Sequence, residues 1–184
     1  ERDGFAKIPG HFTKAEIDRL RAQAFLGLCS CRYGRDTSLQ SRSQFPSILF
    51  HPPGAALLTA TKALKLIVQS VLGSDVLQLN RQYYFRLPGD GDSFAWHQDI
   101  SFRTPPEAFD KIETNYLQTA IIVDPMGHAN GGIEFIPKSH KVGDLGLVAR
   151  DGRERGLRAF ERSHRQGVVM EATPGDVLVW SVMV

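Results

Sequence analysis

From Val76 onward the chain is cut at short intervals by turn-forming clusters, and this punctuation limits the fold more than any other feature. Leu87-Pro88-Gly89-Asp90-Gly91-Asp92, Thr104-Pro105-Pro106, Asp124-Pro125, Asn130-Gly131-Gly132 and Thr173-Pro174-Gly175-Asp176 separate short, largely apolar runs. Gly tolerates positive φ, and Pro fixes φ while removing a donor, so such clusters end hydrogen-bonded ladders. The runs between them read as strands: Val76 to Arg86, Phe94 to Ile100, Tyr116 to Val123, Gly131 to Pro137, Gly167 to Ala172 and Val177 to Val184.

The residues before Val76 follow another pattern. Gly4 to Pro9 alternates apolar and polar residues and predicts a short edge strand stopped by Pro9-Gly10. Thr13-Lys14-Ala15-Glu16 has the form of a capping box, and the helix it opens is expected to end at Gly27. A second helix is expected over Gly54 to Leu72, after Pro52-Pro53 and before Gly73. Helices followed by short strands predict an α+β, mainly β chain. The expected architecture is an antiparallel sandwich or jelly roll with the N-terminal helices packed on one sheet. A length of 184 residues suits one domain spanning 1–184.

Composition excludes several function classes. Hydrophobic residues at 42% and charged residues at 23% fit a soluble globular protein. A formal charge of +2 gives no footprint for nucleic acid. The longest apolar stretch, Ala55 to Leu72, is interrupted by Lys62, Lys65 and Gln69, so no membrane span is expected. Cys29 and Cys31 are one residue apart, a spacing that strains a disulfide, and they read as reduced thiols of a cytoplasmic protein.

One stretch carries chemistry. Within Ser93-Phe94-Ala95-Trp96-His97-Gln98-Asp99-Ile100-Ser101, His97 and Asp99 are two residues apart. In a strand they share a face, so an imidazole nitrogen and a carboxylate oxygen converge. Such a pair can supply two of the three ligands of a 2-His-1-carboxylate iron site, which keeps positions open for substrate and O2. The same tripeptide also fits a His and an Asp capping a turn. Elsewhere, residues 29–51 read as a polar surface loop. Arg150 to Arg165, with six arginines and three acids, reads as a solvated surface or as a lid over an anionic substrate.

The order of motifs resembles the phytanoyl-CoA dioxygenase family. The resemblance rests on Asp3-Gly4-Phe5 before the capped helix, Trp96-His97-Gln98-Asp99, and the strand ending in Asp124. It continues through Asn130-Gly131-Gly132, Ile136-Pro137-Lys138-Ser139-His140-Lys141 and Pro174-Gly175-Asp176-Val177. It implies a double-stranded β-helix and an Fe(II)- and 2-oxoglutarate-dependent dioxygenase. Such an enzyme hydroxylates a small organic substrate with O2 and releases succinate and CO2. His97 and Asp99 become the metal ligands, and Gln98 lies near the substrate. Gln118, Tyr84 and Gln82 are candidates to bind the cosubstrate, each equally compatible with ordinary barrel interior.

His140 falls in a stretch that is structural in the family and is not expected to be a ligand; Lys138 stands where the family usually has Gly. The resemblance also places a second metal His and an Arg for 2-oxoglutarate after the Pro-Gly-Asp turn. No His or Arg follows Trp180, so both are expected beyond Val184, and the chain reads as truncated. His11, His51, His128 and His164 are not favoured as the third ligand. Two other classes stay open: a non-enzymatic jelly-roll binding module with an incomplete metal site, and a cupin-like enzyme using another metal.

Overall fold

The computed structural model describes residues 2–33, 44–45, 55–79, 83–84, 96–102, 109–144 and 166–184. In chain order its elements are β1 (Phe5–Ile8), α1 (Lys14–Tyr33), β2 (Gln44–Phe45), α2 (Ala55–Leu72), β3 (Tyr83–Tyr84), α3 (Ile112–Asn115), β4 (Leu117–Ile121), β5 (Glu134–Phe135), β6 (Val168–Val169) and β7 (Val177–Ser181). They fall into two compact units, one of residues 1–11 with 93–184 and one of residues 12–92.

The first unit is built on an antiparallel sheet of order β1-β7-β4. Strand β7 is central, and its sequence Val177-Leu178-Val179 is buried on both faces, as an uninterrupted apolar run requires. Phe5 and Gln118 both lie opposite Trp180 in register. Directly opposed residues project to the same face. Phe5, Trp180 and Gln118 therefore form one row across the sheet. On that face Leu178 packs with Ile122, Phe135 and Ala172, flanked by Phe5, Ala120, Met126 and Trp180. A second ladder joins β5 to β6, and an isolated bridge pairs Met126 with Ala172.

The turn before β7 explains its Pro-Gly-Asp sequence. Gly175 has φ +101°, which an L side chain resists. The Asp176 carboxylate is buried and accepts hydrogen bonds at Oδ1 from the Gly10 N–H (2.8 Å) and at Oδ2 from the Thr173 N–H (2.9 Å) and hydroxyl (3.2 Å). Burial pushes this carboxyl up, but those donors and Lys7 outweigh it and hold the group below its usual range. Asp176 thus ties the turn after β1 to the turn before β7.

In the second unit, the expected capping box is present. Glu16 Oε2 accepts from the Thr13 N–H at 2.8 Å and from its hydroxyl at 2.7 Å, and Ile17, Leu20 and Ala24 form the buried stripe of α1. Helix α1 packs against α2, and α2 ends at Gly73 with φ +95°. Helix α1 does not stop at Gly27 but runs to Tyr33. A lone Gly among helix formers costs about 1 kcal/mol against Ala, too little to end a helix by itself. Residues 29–33, expected in a loop, are therefore helical.

The expected strands are mostly shorter than their apolar runs. Residues 76–79 carry no ladder, and among the described residues of this run Tyr83–Tyr84 pairs, with Gln44–Phe45. Leu77 is 97% exposed, so its apolar character reflects no burial here. Pro52-Pro53, residues 34–43 and Arg150 to Arg165 lie outside the described residues.

Candidate metal centre

The His-x-Asp segment is not the strand that alternation predicts. Residues 97–98 join no ladder, and Asp99–Phe102 forms a 3-10 turn. The reason is tertiary. The Ile100 N–H donates to Val182 O at 3.0 Å, and Gln98 Nε2 donates to Gly143 O at 3.1 Å and to Met183 O. These bonds draw residues 98–100 to the chain just beyond β7, and a buried amide is held only where its partners are met.

The two side chains converge even so. His97 Nε2 and Asp99 Oδ1 are 3.7 Å apart, too far for a hydrogen bond between them and near enough to share one ion. Their side chains are 32% and 21% exposed, so the pair is fixed by the protein yet open on one side. The other carboxylate oxygen, Asp99 Oδ2, accepts a hydrogen bond from Trp180 Nε1 at 3.0 Å. A nitrogen and an oxygen donor with the second oxygen already satisfied suit a divalent first-row metal. Among the described residues, no set of three His, Cys, Asp or Glu side chains stands together as a complete metal cage.

Gln98 is 1% exposed. Its amide is turned into the protein and fixes the backbone between His97 and Asp99 through Met183 and Gly143. Gln118 is half-buried and lies in the cross-strand row beside Trp180. Tyr84 belongs to the second unit, on β3, and is 54% exposed. Gln82 lies outside the described residues, as do His51 and His164.

His11 and His128 are exposed, and the His128 N–H donates to Glu171 Oε1 at 3.1 Å. His140 sits against Gly4, where a Cβ would overlap its ring, so Gly4 with φ +91° leaves the room that the imidazole fills. Lys138 adopts the left-handed region at φ +68°, a conformation natural to the Gly that the family has there.

Sequence reasoning missed Trp180 as a partner of the site. A tryptophan in a strand that is otherwise aliphatic was the available signal, because a buried indole N–H seeks an acceptor.

The chain resembles proteins of known identity along most of its length. It is 24% identical over 169 residues to the L-proline trans-4-hydroxylase of Streptomyces griseoviridis, covering 84% of this chain and 58% of the hydroxylase. It is 26% identical over 132 residues to the dioxygenase lolE1 of Epichloe uncinata, covering 72% and 46%. The chain thus spans about half the length of these curated relatives. Among solved structures, the non-haem alpha ketoglutarate dependent epimerase SnoN from nogalamycin biosynthesis shares the fold. The TM-score is 0.65 at 16% identity, across 99% of this chain and 70% of that one. SnoN in complex with Fe3+, alpha ketoglutarate and nogalamycin RO matches with a TM-score of 0.60 at 14% identity. A model of the phytanoyl-CoA dioxygenase (PhyH) family matches residues 33–184, and the chain belongs to that family.

Proposed function

We propose that the protein is an Fe(II)- and 2-oxoglutarate-dependent dioxygenase that hydroxylates a small organic substrate, with succinate and CO2 as co-products. The observation that carries the reading is the convergence of His97 Nε2 and Asp99 Oδ1 in a chain of this family. The likeness in sequence to a hydroxylase and a dioxygenase, and in fold to an alpha ketoglutarate dependent epimerase solved with Fe3+, supports it. It also supports a jelly roll formed by residues 1–184 as one domain. In this reading His97 and Asp99 hold the metal as two of its ligands.

When bound, the iron supplies O2 activation coupled to oxidative decarboxylation of 2-oxoglutarate. The protein's own work is placement. Gln98 holds the ligand-bearing backbone in register with residues 182–183, and the open side of the pair admits the reactants. Gln118, from the row beside Trp180, offers an amide to a cosubstrate carboxylate; Tyr84 and Gln82 remain the other candidates for that contact. Among the described residues no helix is long and apolar enough to cross a membrane, and the cytoplasmic assignment rests on the cysteine usage.

Asp99→Ala in the full-length protein tests the assignment. It removes the carboxylate ligand and should abolish succinate formation from 2-oxoglutarate; unchanged succinate production would sink the reading. Calorimetry with Mn(II) and 2-oxoglutarate separates the alternative of a non-enzymatic binding module, which would show no metal-dependent binding of 2-oxoglutarate.

A further inference from the structure

We infer that Trp180 is the positioning residue of the metal-binding carboxylate: its indole N–H holds Asp99 Oδ2, so that Oδ1 is the oxygen left facing His97. The inference rests on the metal assignment of His97 and Asp99 and assigns a role to a residue that touches neither metal nor substrate. A carboxylate side chain rotates about χ2 with a broad, nearly two-fold profile, so its two oxygens are interchangeable unless something distinguishes them. Here the 3.0 Å bond from Trp180 Nε1 distinguishes them.

The indole is itself fixed. Trp180 lies at the end of the central strand, between Phe5 and Gln118 in register. Its ring packs against Phe135 at 5.5 Å and 49°, and Phe135 stacks on Phe5 at 4.7 Å and 19°. These contacts leave the N–H little freedom except toward Asp99. The sheet core is thereby connected to the ligand through one donor. Partners of this kind orient metal-bound groups, and losing one typically costs about 10-fold to 100-fold in metal affinity.

The bland reading is a core tryptophan whose N–H takes the nearest acceptor. The two readings diverge in one substitution. Trp180→Phe keeps an aromatic ring beside Phe135 and removes the N–H donor together with part of the ring volume. In full-length protein, Mn(II) affinity measured by calorimetry should fall about 10-fold or more. The anaerobic charge-transfer band of the Fe(II)–2-oxoglutarate complex should also shift, a signature that packing alone does not move. Wild-type affinity and an unshifted band in a folded Trp180→Phe protein would overturn the inference while leaving the metal site intact. Failure of the wild-type protein to bind Mn(II) would overturn the metal assignment itself, and this inference with it.

A measurement on the unsubstituted residue covers the case in which Trp180→Phe does not fold. The Trp180 indole proton resonance is assigned from its through-space contacts to the Phe135 ring. That proton should exchange slowly and should move when Asp99 is changed to Ala. Fast exchange, or indifference to Asp99→Ala, would refute the hydrogen bond and the role built on it.

Discussion

Replacing Asp176 by Asn tests the reading of the Pro-Gly-Asp turn as a clamp rather than part of the chemistry. The carboxylate has three donors to satisfy, the Gly10 N–H on one oxygen and the Thr173 N–H and hydroxyl on the other. Asn offers one oxygen, so its amide nitrogen must face at least one of those N–H groups. One charge-assisted bond, worth about 1.5–3 kcal/mol, is lost, and the remaining bonds become neutral ones of about 1 kcal/mol. Relief of the buried charge offsets part of this. The lowered pKa of Asp176 shows that the donors outweigh the burial. The expected net loss near pH 7 is about 2–3 kcal/mol, or a shift of roughly 1–1.5 M in the urea midpoint for a slope near 2 kcal/mol/M.

The pH dependence follows from the sign. A carboxyl with a folded pKa below its reference value of 3.8 stabilises the fold above that value and loses the contribution as pH falls through the folded pKa. The gap between wild type and Asp176→Asn should therefore be constant from about pH 7 to about pH 5 and shrink on further acidification. Urea unfolding followed by tryptophan fluorescence at several pH values measures it. A gap below about 0.5 kcal/mol near pH 7, or one that does not narrow in acid, would refute the argument.

Two further substitutions probe the site's surroundings. Gln98→Leu leaves the carbonyls of Met183 and Gly143 without their shared donor and should cost about 2–4 kcal/mol in denaturant unfolding, with weaker Mn(II) binding in calorimetry. A stable variant with normal metal affinity would show that the 97–99 segment is held by other means. Lys138→Gly relieves a left-handed lysine and keeps the 2.9 Å bond from the residue 138 N–H to Asp3 O. It should raise stability by up to about 1 kcal/mol after the greater freedom of the unfolded Gly is allowed for, visible as a higher midpoint temperature.

Much of the first unit was legible in the sequence because its signals are local. Pro174-Gly175-Asp176 marks a turn by chemistry that needs no distant partner, and the apolar run after it predicts the strand that became the centre of the sheet. The Thr13–Glu16 cap was legible for the same reason. His97 and Asp99 converge as expected, but by another route. The sequence cannot show that Gln98 and Ile100 bond to residues 182–183, and those contacts convert an expected strand into a 3-10 turn. Trp180 escaped notice because its link to Asp99 spans 81 residues of sequence. Gly27 misled because a helix end depends on its neighbours' propensities as well as on one glycine.

The register that sets Phe5 and Gln118 on either side of Trp180 has a consequence for the order of folding. Strand β7 pairs with residues from near the start of the chain and from its middle, so the sheet closes loops of very different lengths. Such non-local ladders form slowly, because loop closure must precede any gain from the contact. Synthesis runs from the N-terminus, so His97 and Asp99 leave the ribosome well before Trp180, Val182 and Met183, which hold their segment. Until then the two donors lack a fixed spacing. On the proposed assignment of His97 and Asp99, metal capture is thus an event of the completed sheet, and a nascent chain offers iron no defined site.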